Sequence, residues 1–197
     1  MRVFSVSGTQ VHDGRDLPQA LPENGFVWIA CSREWFQTEL ASIQNTLEQL
    51  TGRGLVDLHV SDLLNPQLPS RFDYSSHYDL MVFRRLAQRS PDAAGMGAQG
   101  KRPGPPVLNR IDTSPVGFAV FDRVLLSVHP TDCAVREAYA SRLLAGTHAS
   151  AQTTETADLR SAGARGVPAS PADMMLRIIS HMVDSYLDLR RELSRQL

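Results

Sequence analysis

Three groups of residues in this sequence have types and spacings that could support chemistry. Asp57, Asp62 and Asp73 are scattered acids whose carboxylates would serve as general acids or bases, or hold a hard cation, if the fold brought them together. His129, Asp132 and Cys133 lie within five positions where a helix is expected to begin, and such a trio can bind a soft metal ion. No further Cys or His lies nearby in sequence to complete a tetrahedral shell, so the plainer reading is a strand-end imidazole beside a buried free thiol. In the third group, "GMGAQGKR" places Gly95, Gly97, Gly100 and Lys101 at spacings that resemble a phosphate-binding loop. Such loops work because a helix opens directly after them and its free N–H groups converge on phosphate. Here Arg102 stands where a Ser or Thr would hold magnesium, and Pro103, Pro105 and Pro106 forbid the helix. Loop composition accounts for the match.

Two smaller features have ordinary explanations. His181 sits among Ile179, Met182 and Val183 and reads as a packed or helix-surface residue rather than a ligand. Arg84, Arg85 and Arg89 read as a solvated sheet edge that discourages further strand pairing.

The chain has 197 residues, enough for one domain with a substantial core or two small ones. Its net charge of −1 argues against nucleic acid as the main partner, and its two cysteines against a disulfide framework. The longest unbroken apolar run is "FVWIAC", far short of the roughly 20 residues that span a bilayer. The sequence as given reads as a soluble chain.

Periodicity places strands at 2–6 and 26–31, separated by turn chemistry in "DGRDLPQALPENG". Ser32 is positioned to cap a helix running to Thr51, with Phe36, Leu40, Ile43, Leu47 and Leu50 on one face and Gly52 beyond its end. Residues 55–65 suggest a short strand and a helical turn; 71–74 and 78–87 suggest paired strands. "VGFAVF" and "RVLLSVH", parted by Asp122 and Arg123, suggest a tight hairpin, followed by a helix over 132–144. The stretches 88–114 and 145–169 are rich in small and polar residues and read as flexible loops, with a short helix near 154–160.

The closing segment, 170–197, carries a strong start signal: Ser170 as N-cap, Pro171 at the first helical position and Asp173 near the positive helix end. Met175, Ile178, Ile179, Met182, Tyr186, Leu189, Leu193 and Leu197 recur at helical steps, and no stop signal follows. The order of elements predicts an α/β fold, a layered α/β/α sandwich with a mixed β-sheet over 1–169, then a long C-terminal helix.

Several segments, taken in order, resemble the cytosolic N-terminal domain of the CorA family of divalent-cation transporters. "GFVWIA" is similar to that family's opening strand, and "SDLLNPQLPSRFDYSSHYDLMVF" to its Glu-Asp-x-x-Asn and paired-strand segment. Val135, Arg136 and Glu137 resemble its Val-Arg-Glu helix start, and Val183, Asp184 and Tyr186 its Val-Asp-x-Tyr pattern. The departures are Ser61 in place of Glu, Ser70 where Lys is common, Ser180 in place of Asp, and no Gly-Met-Asn pore signature or membrane helices.

The resemblance implies a cytosolic regulatory, ion-sensing domain at the cytoplasmic face of the inner membrane. It implies a homo-oligomer, a pentamer in the full-length protein, whose closing helix continues as a stalk into a membrane domain beyond Leu197. It implies Mg2+, or Zn2+ or another divalent ion, as the regulatory or transported species, with Asp62 contributing to an inter-subunit metal site and no catalytic chemistry. The rival readings are a stand-alone soluble binding module of the same fold and a metal-dependent hydrolase built from the scattered acids and histidines.

Overall fold

A computed structural model describes residues 1–88, 111–131, 133–150 and 166–196. Its strands are β1 (Arg2–Ser7), β2 (Gln10–Gly14), β3 (Phe26–Ser32), β4 (Arg71–Tyr74), β5 (Asp79–Gln88), β6 (Ile111–Val120) and β7 (Val124–His129). Its helices are α1 (Arg33–Thr38), α2 (Leu40–Thr51), α3 (Asp57–Leu64), α4 (Ala134–Ser150) and α5 (Pro171–Gln196). Among the described residues the strands form one mixed sheet of order β2-β1-β3-β7-β6-β5-β4, in which β3 and β7 are parallel and the other pairings antiparallel.

Strand β3, interior to the sheet between β1 and β7, explains the layering. Its alternate residues Val27, Ile29 and Cys31 pack under α1–α3, while Phe26, Trp28 and Ala30 pack under α4 and α5. A strand covered on both faces must be apolar throughout, hence the uninterrupted "FVWIAC". The result is the expected α/β/α sandwich closed by a long helix.

Local signals act where the sequence places them. Ser32 Oγ accepts from Trp35 N–H at 3.2 Å, and Gly52, at φ 78°, ends α2 in the left-handed conformation. Ser170 Oγ accepts from Asp173 N–H at 3.1 Å while Asp173 Oδ2 accepts from Ala169 N–H at 2.9 Å, a reciprocal cap at the start of α5. Phe121 N–H donates to Val124 C=O at 2.8 Å, closing the β6–β7 hairpin around Asp122 and Arg123.

Other expectations are corrected. A strand unread in the sequence, β2, precedes that turn segment and takes in its first two residues, Asp13 and Gly14; it pairs with β1 from Val3↔Gly14 to Ser7↔Gln10. The helix after Ser32 is broken at Glu39 (φ −103°, ψ 24°) into α1 and α2. Residues 57–64 are wholly helical, with no strand. Helix α4 runs on to Ser150, β5 reaches Gln88 and β6 starts at Ile111, so the two loop-like stretches are shorter than composition suggests. Residues 89–110 and 151–165, including the glycine motif at 95–101, Arg89 and the short helix expected near 154–160, lie outside the described residues. The arginine pair does not mark an edge: β5 lies between β4 and β6, and Arg85 is only 4 % exposed.

Helix α5 is rotated slightly from the predicted face. Met174, Ile178 and Met182 are its fully buried line, with Met175 and Ile179 at the margin. Tyr186 packs edge-on against Phe83 and donates its hydroxyl to Arg84 C=O at 2.5 Å, tying the helix to β5.

Candidate functional site

Ionisable groups converge where α3 meets β4. Helix geometry puts His59 and Asp62 three residues apart on one face of α3. Strand geometry puts Arg71 and Asp73 on one side of β4, facing that helix. Arg71 Nη2 contacts Asp73 Oδ2 at 2.5 Å and Arg71 Nη1 stands 3.3 Å from Asp62 Oδ2. Asp62 is 9 % exposed, and its Oδ2 is buried without a hydrogen bond despite the nearby guanidinium. Its charge is thus matched by proximity rather than by a directed bond.

Tyr78 organises the other side of this cluster. Its hydroxyl accepts from Val56 N–H at 3.0 Å, capping a helix whose own N-cap side chain is aliphatic. It lies 2.7 Å from His59 Nδ1, and His59 Nε2 stands 3.6 Å from Asp73 Oδ2. Burial pushes the Tyr78 phenol pKa up. Tyr74 N–H, followed by the charges of Arg71 and His59, holds the Asp73 carboxyl below its ordinary range. The arrangement runs Val56–Tyr78–His59–Asp73–Arg71–Asp62, two carboxylates flanking one guanidinium. Its chemistry is charge neutralisation and helix docking.

Of the acids named from the sequence, the fold brings Asp62 and Asp73 to one guanidinium; Asp57 stands in the first turn of α3, near its positive end. Among the described residues no three His, Cys, Asp or Glu groups stand close enough together to hold a metal ion. The donors near Asp62 suit a divalent cation in type, being carboxylates and an imidazole, but Arg71 stands among them.

His129 and Cys133 form a second, deeply buried chain. Trp28 Nε1–H donates to Ser127 Oγ at 2.8 Å, Ser127 Oγ meets His129 Nε2 at 2.8 Å, and His129 Nδ1 meets Cys133 Sγ at 3.4 Å. Burial, then the charges of Arg136, Arg85 and Arg33, pushes the His129 pKa down to about 3. Burial raises the Cys133 thiol and pushes Cys31 to about 12, so these groups are neutral and structural at pH 7. Asp132, the third member of the sequence trio, lies outside the described residues. His181 is half-buried in α5, and Ser180 Oγ donates back to Leu176 C=O at 2.8 Å.

The fold and this cluster define a class: a layered α/β domain ending in a long, two-sided helix that departs across β5. No protein-family model and no curated protein sequence matches the chain. Solved structures do match in fold. The full-length CmaX protein superposes with a TM-score of 0.61 at 14 % identity, covering all of this chain and 49 % of that one. The complete CorA magnesium transporter from Methanocaldococcus jannaschii gives 0.59 at 12 % identity, covering 98 % of this chain and 47 % of that one. The ZntB cytoplasmic domain from Vibrio parahaemolyticus gives 0.54 at 15 % identity, with 98 % and 62 % covered. The chain therefore has the fold of the CorA soluble domain, and it spans about half to three-fifths of the length of the structures it resembles. None of these is described as an enzyme. Among the described residues no helix is long and apolar enough to cross a membrane.

Proposed function

We propose that the chain is the cytosolic regulatory domain of a CorA-like divalent-cation transporter, with Mg2+, or Zn2+ or a related ion, as the species sensed or carried. The observation that carries this reading is α5. It is a 26-residue helix held to the sheet by Met174, Ile178 and Met182, yet it also carries exposed Leu176, Val183 and Leu187. At 100° per residue those three fall on the face opposite the buried line, so the helix is built to be packed on two sides. A stalk shared between subunits of a homo-oligomer, a pentamer in the full-length protein, uses such a helix. The fold shared with the CorA soluble domain supports the same reading.

In this reading α5 continues into a membrane domain at the cytoplasmic face of the inner membrane, and Asp62 is the acid through which the regulatory ion is felt. An ion that bound better to one arrangement of the subunits would bias the gate by that difference in affinity. The test is the natural reading frame followed by flux. Two apolar segments of about 20 residues each are expected after Leu197. The full-length product in proteoliposomes is expected to admit Mg2+ or Zn2+, followed with an enclosed indicator dye. A frame without such segments, or vesicles no more permeable than empty ones, overturns the proposal.

A further inference from the structure

We propose that the outer edge of β4 is a self-complementary interface, at which β4 pairs antiparallel with β4 of a second copy of this chain about a two-fold axis at Phe72. The transport reading makes no use of this edge, and the two stand or fall separately.

β4 is the last strand of the sheet, and part of its main chain faces outward. Ser75 N–H donates to Tyr78 C=O at 2.9 Å, so the odd-numbered residues of this hairpin arm turn their main-chain groups toward β5. Phe72 and Tyr74 therefore turn theirs away from it. Asp73 Oδ1 accepts from Tyr74 N–H at 2.9 Å and so occupies one outward donor. Among the described residues Phe72 N–H, Phe72 C=O and Tyr74 C=O meet no partner on that side.

The side chains over this edge are not those of a protected one. Strand edges that avoid pairing commonly carry Lys or Pro within the strand. Here Phe72 and Tyr74 are 57 % and 72 % exposed, their rings stacked at 6.4 Å. Phe72 stands opposite Met81, which packs under the α4–α5 layer, so both aromatics share that face of the sheet. Helix α5 meets the neighbouring strand, through Tyr186 on Phe83, and leaves the two rings outside its cover.

Charge selects both the partner and the register. On the other face Arg71 and Asp73 alternate, so an axis at Phe72 sets each Arg71 opposite Asp73 of the second copy. An axis at Arg71 or at Asp73 would set like charges face to face, and one at Tyr74 would run into the turn at Ser75. With Phe72 on the axis, the two outward-facing Phe72 residues exchange both main-chain hydrogen bonds. Each Tyr74 C=O then faces Ser70 of the other copy. The same patch serves both copies, so the contact is isologous and closes as a dimer.

The experiment uses the 197-residue chain with Leu187→Glu throughout, which removes contact through α5 from the score. Cys31 and Cys133 are buried and leave the background free of reactive thiols. In the proposed register the two Phe72 Cα atoms lie about 5.5 Å apart, within disulfide reach, and the two Tyr74 Cα atoms about 14 Å apart, beyond it. Phe72→Cys is expected to form a disulfide-linked dimer under mild oxidation, and Tyr74→Cys to remain monomeric. In sedimentation velocity Phe72→Lys, which sets two ammonium groups together on the axis, is expected to weaken dimerisation by about tenfold or more. Its thermal unfolding is expected to stay close to the parent's, because the side chain is exposed. A parent chain that stays monomeric at millimolar concentration, equal association in Phe72→Lys, or cross-linking at position 74 as ready as at 72 would each overturn the proposal. Ion flux through the full-length protein tests the transport reading independently of all three.

Discussion

At the scale of single residues, the two histidine clusters were unequally visible in the sequence. His129 and Cys133 stand four apart, and their plainer reading as a strand-end imidazole beside a buried free thiol agrees with the structure, which buries the imidazole as well. The His59–Asp73–Arg71 cluster was missed, although its signals were present: His59 and Asp62 share a helical spacing, and Arg71 and Asp73 alternate in a strand. What spacing could not show is that α3 and β4 meet. The buried imidazole has a pH signature. Because the folded-state pKa of His129 is depressed to about 3 from an ordinary 6.5, only the unfolded chain takes up its proton as pH falls through that interval. The group is silent above pH 6.5, and below it stability falls by up to about 1.4 kcal/mol per pH unit until pH approaches 3. In urea titrations across this range, His129→Gln is expected to show a shallower acid limb than the parent, whatever its absolute stability. An unchanged slope would show that other groups carry the acid response.

At the scale of elements, α3 is the instructive case. Leu55, Val56 and Val60 made a short β-rich run, and periodicity cannot separate a brief strand from a brief helix. Tertiary partners settle the matter: Tyr78 caps Val56, while Leu63 seats on β6 where Gly117 has no side chain. A Cβ built at Gly117 would lie 2.2 Å from Leu63 Cδ2, so the glycine is there to let the helix approach the sheet. Gly117→Ala is expected to cost about 1–3 kcal/mol by overpacking. Leu63→Ala alone is expected to cost about 2–5 kcal/mol through the cavity it leaves. The pair should be non-additive, because truncating Leu63 makes room for the new methyl. A strictly additive double-mutant cycle in chemical denaturation would mean that α3 does not bear on Gly117 in this way. The break at Glu39 was illegible for a related reason. No Gly or Pro marks it, and each half buries its own residues, Phe36 from one and Ile43 and Leu47 from the other.

At the scale of the molecule, the open question is what covers the outer face of α5. Leu176, Val183 and Leu187 are 57 %, 39 % and 46 % exposed, an apolar stripe that a second copy would bury. Self-association by sedimentation velocity is expected to weaken in Leu187→Glu, while the thermal unfolding of the domain changes little. Equal association in parent and variant would remove this face from the interface. The same helix divides the two kinds of information. Sequence alone determined that a helix starts at Ser170, that residues 26–31 form a strand, that β6 and β7 form a hairpin, and that the elements stack as an α/β/α sandwich. Those features follow from caps, turn residues and short-range periodicity, which act between neighbours in the chain. Only the tertiary structure decided that β2 completes one edge, that Arg85 is interior, that α5 turns Met174 rather than Leu176 to the sheet, and that Asp62 meets Arg71. Those outcomes depend on pairs of residues distant along the chain, whose free energy exists only once the sheet has brought them within contact.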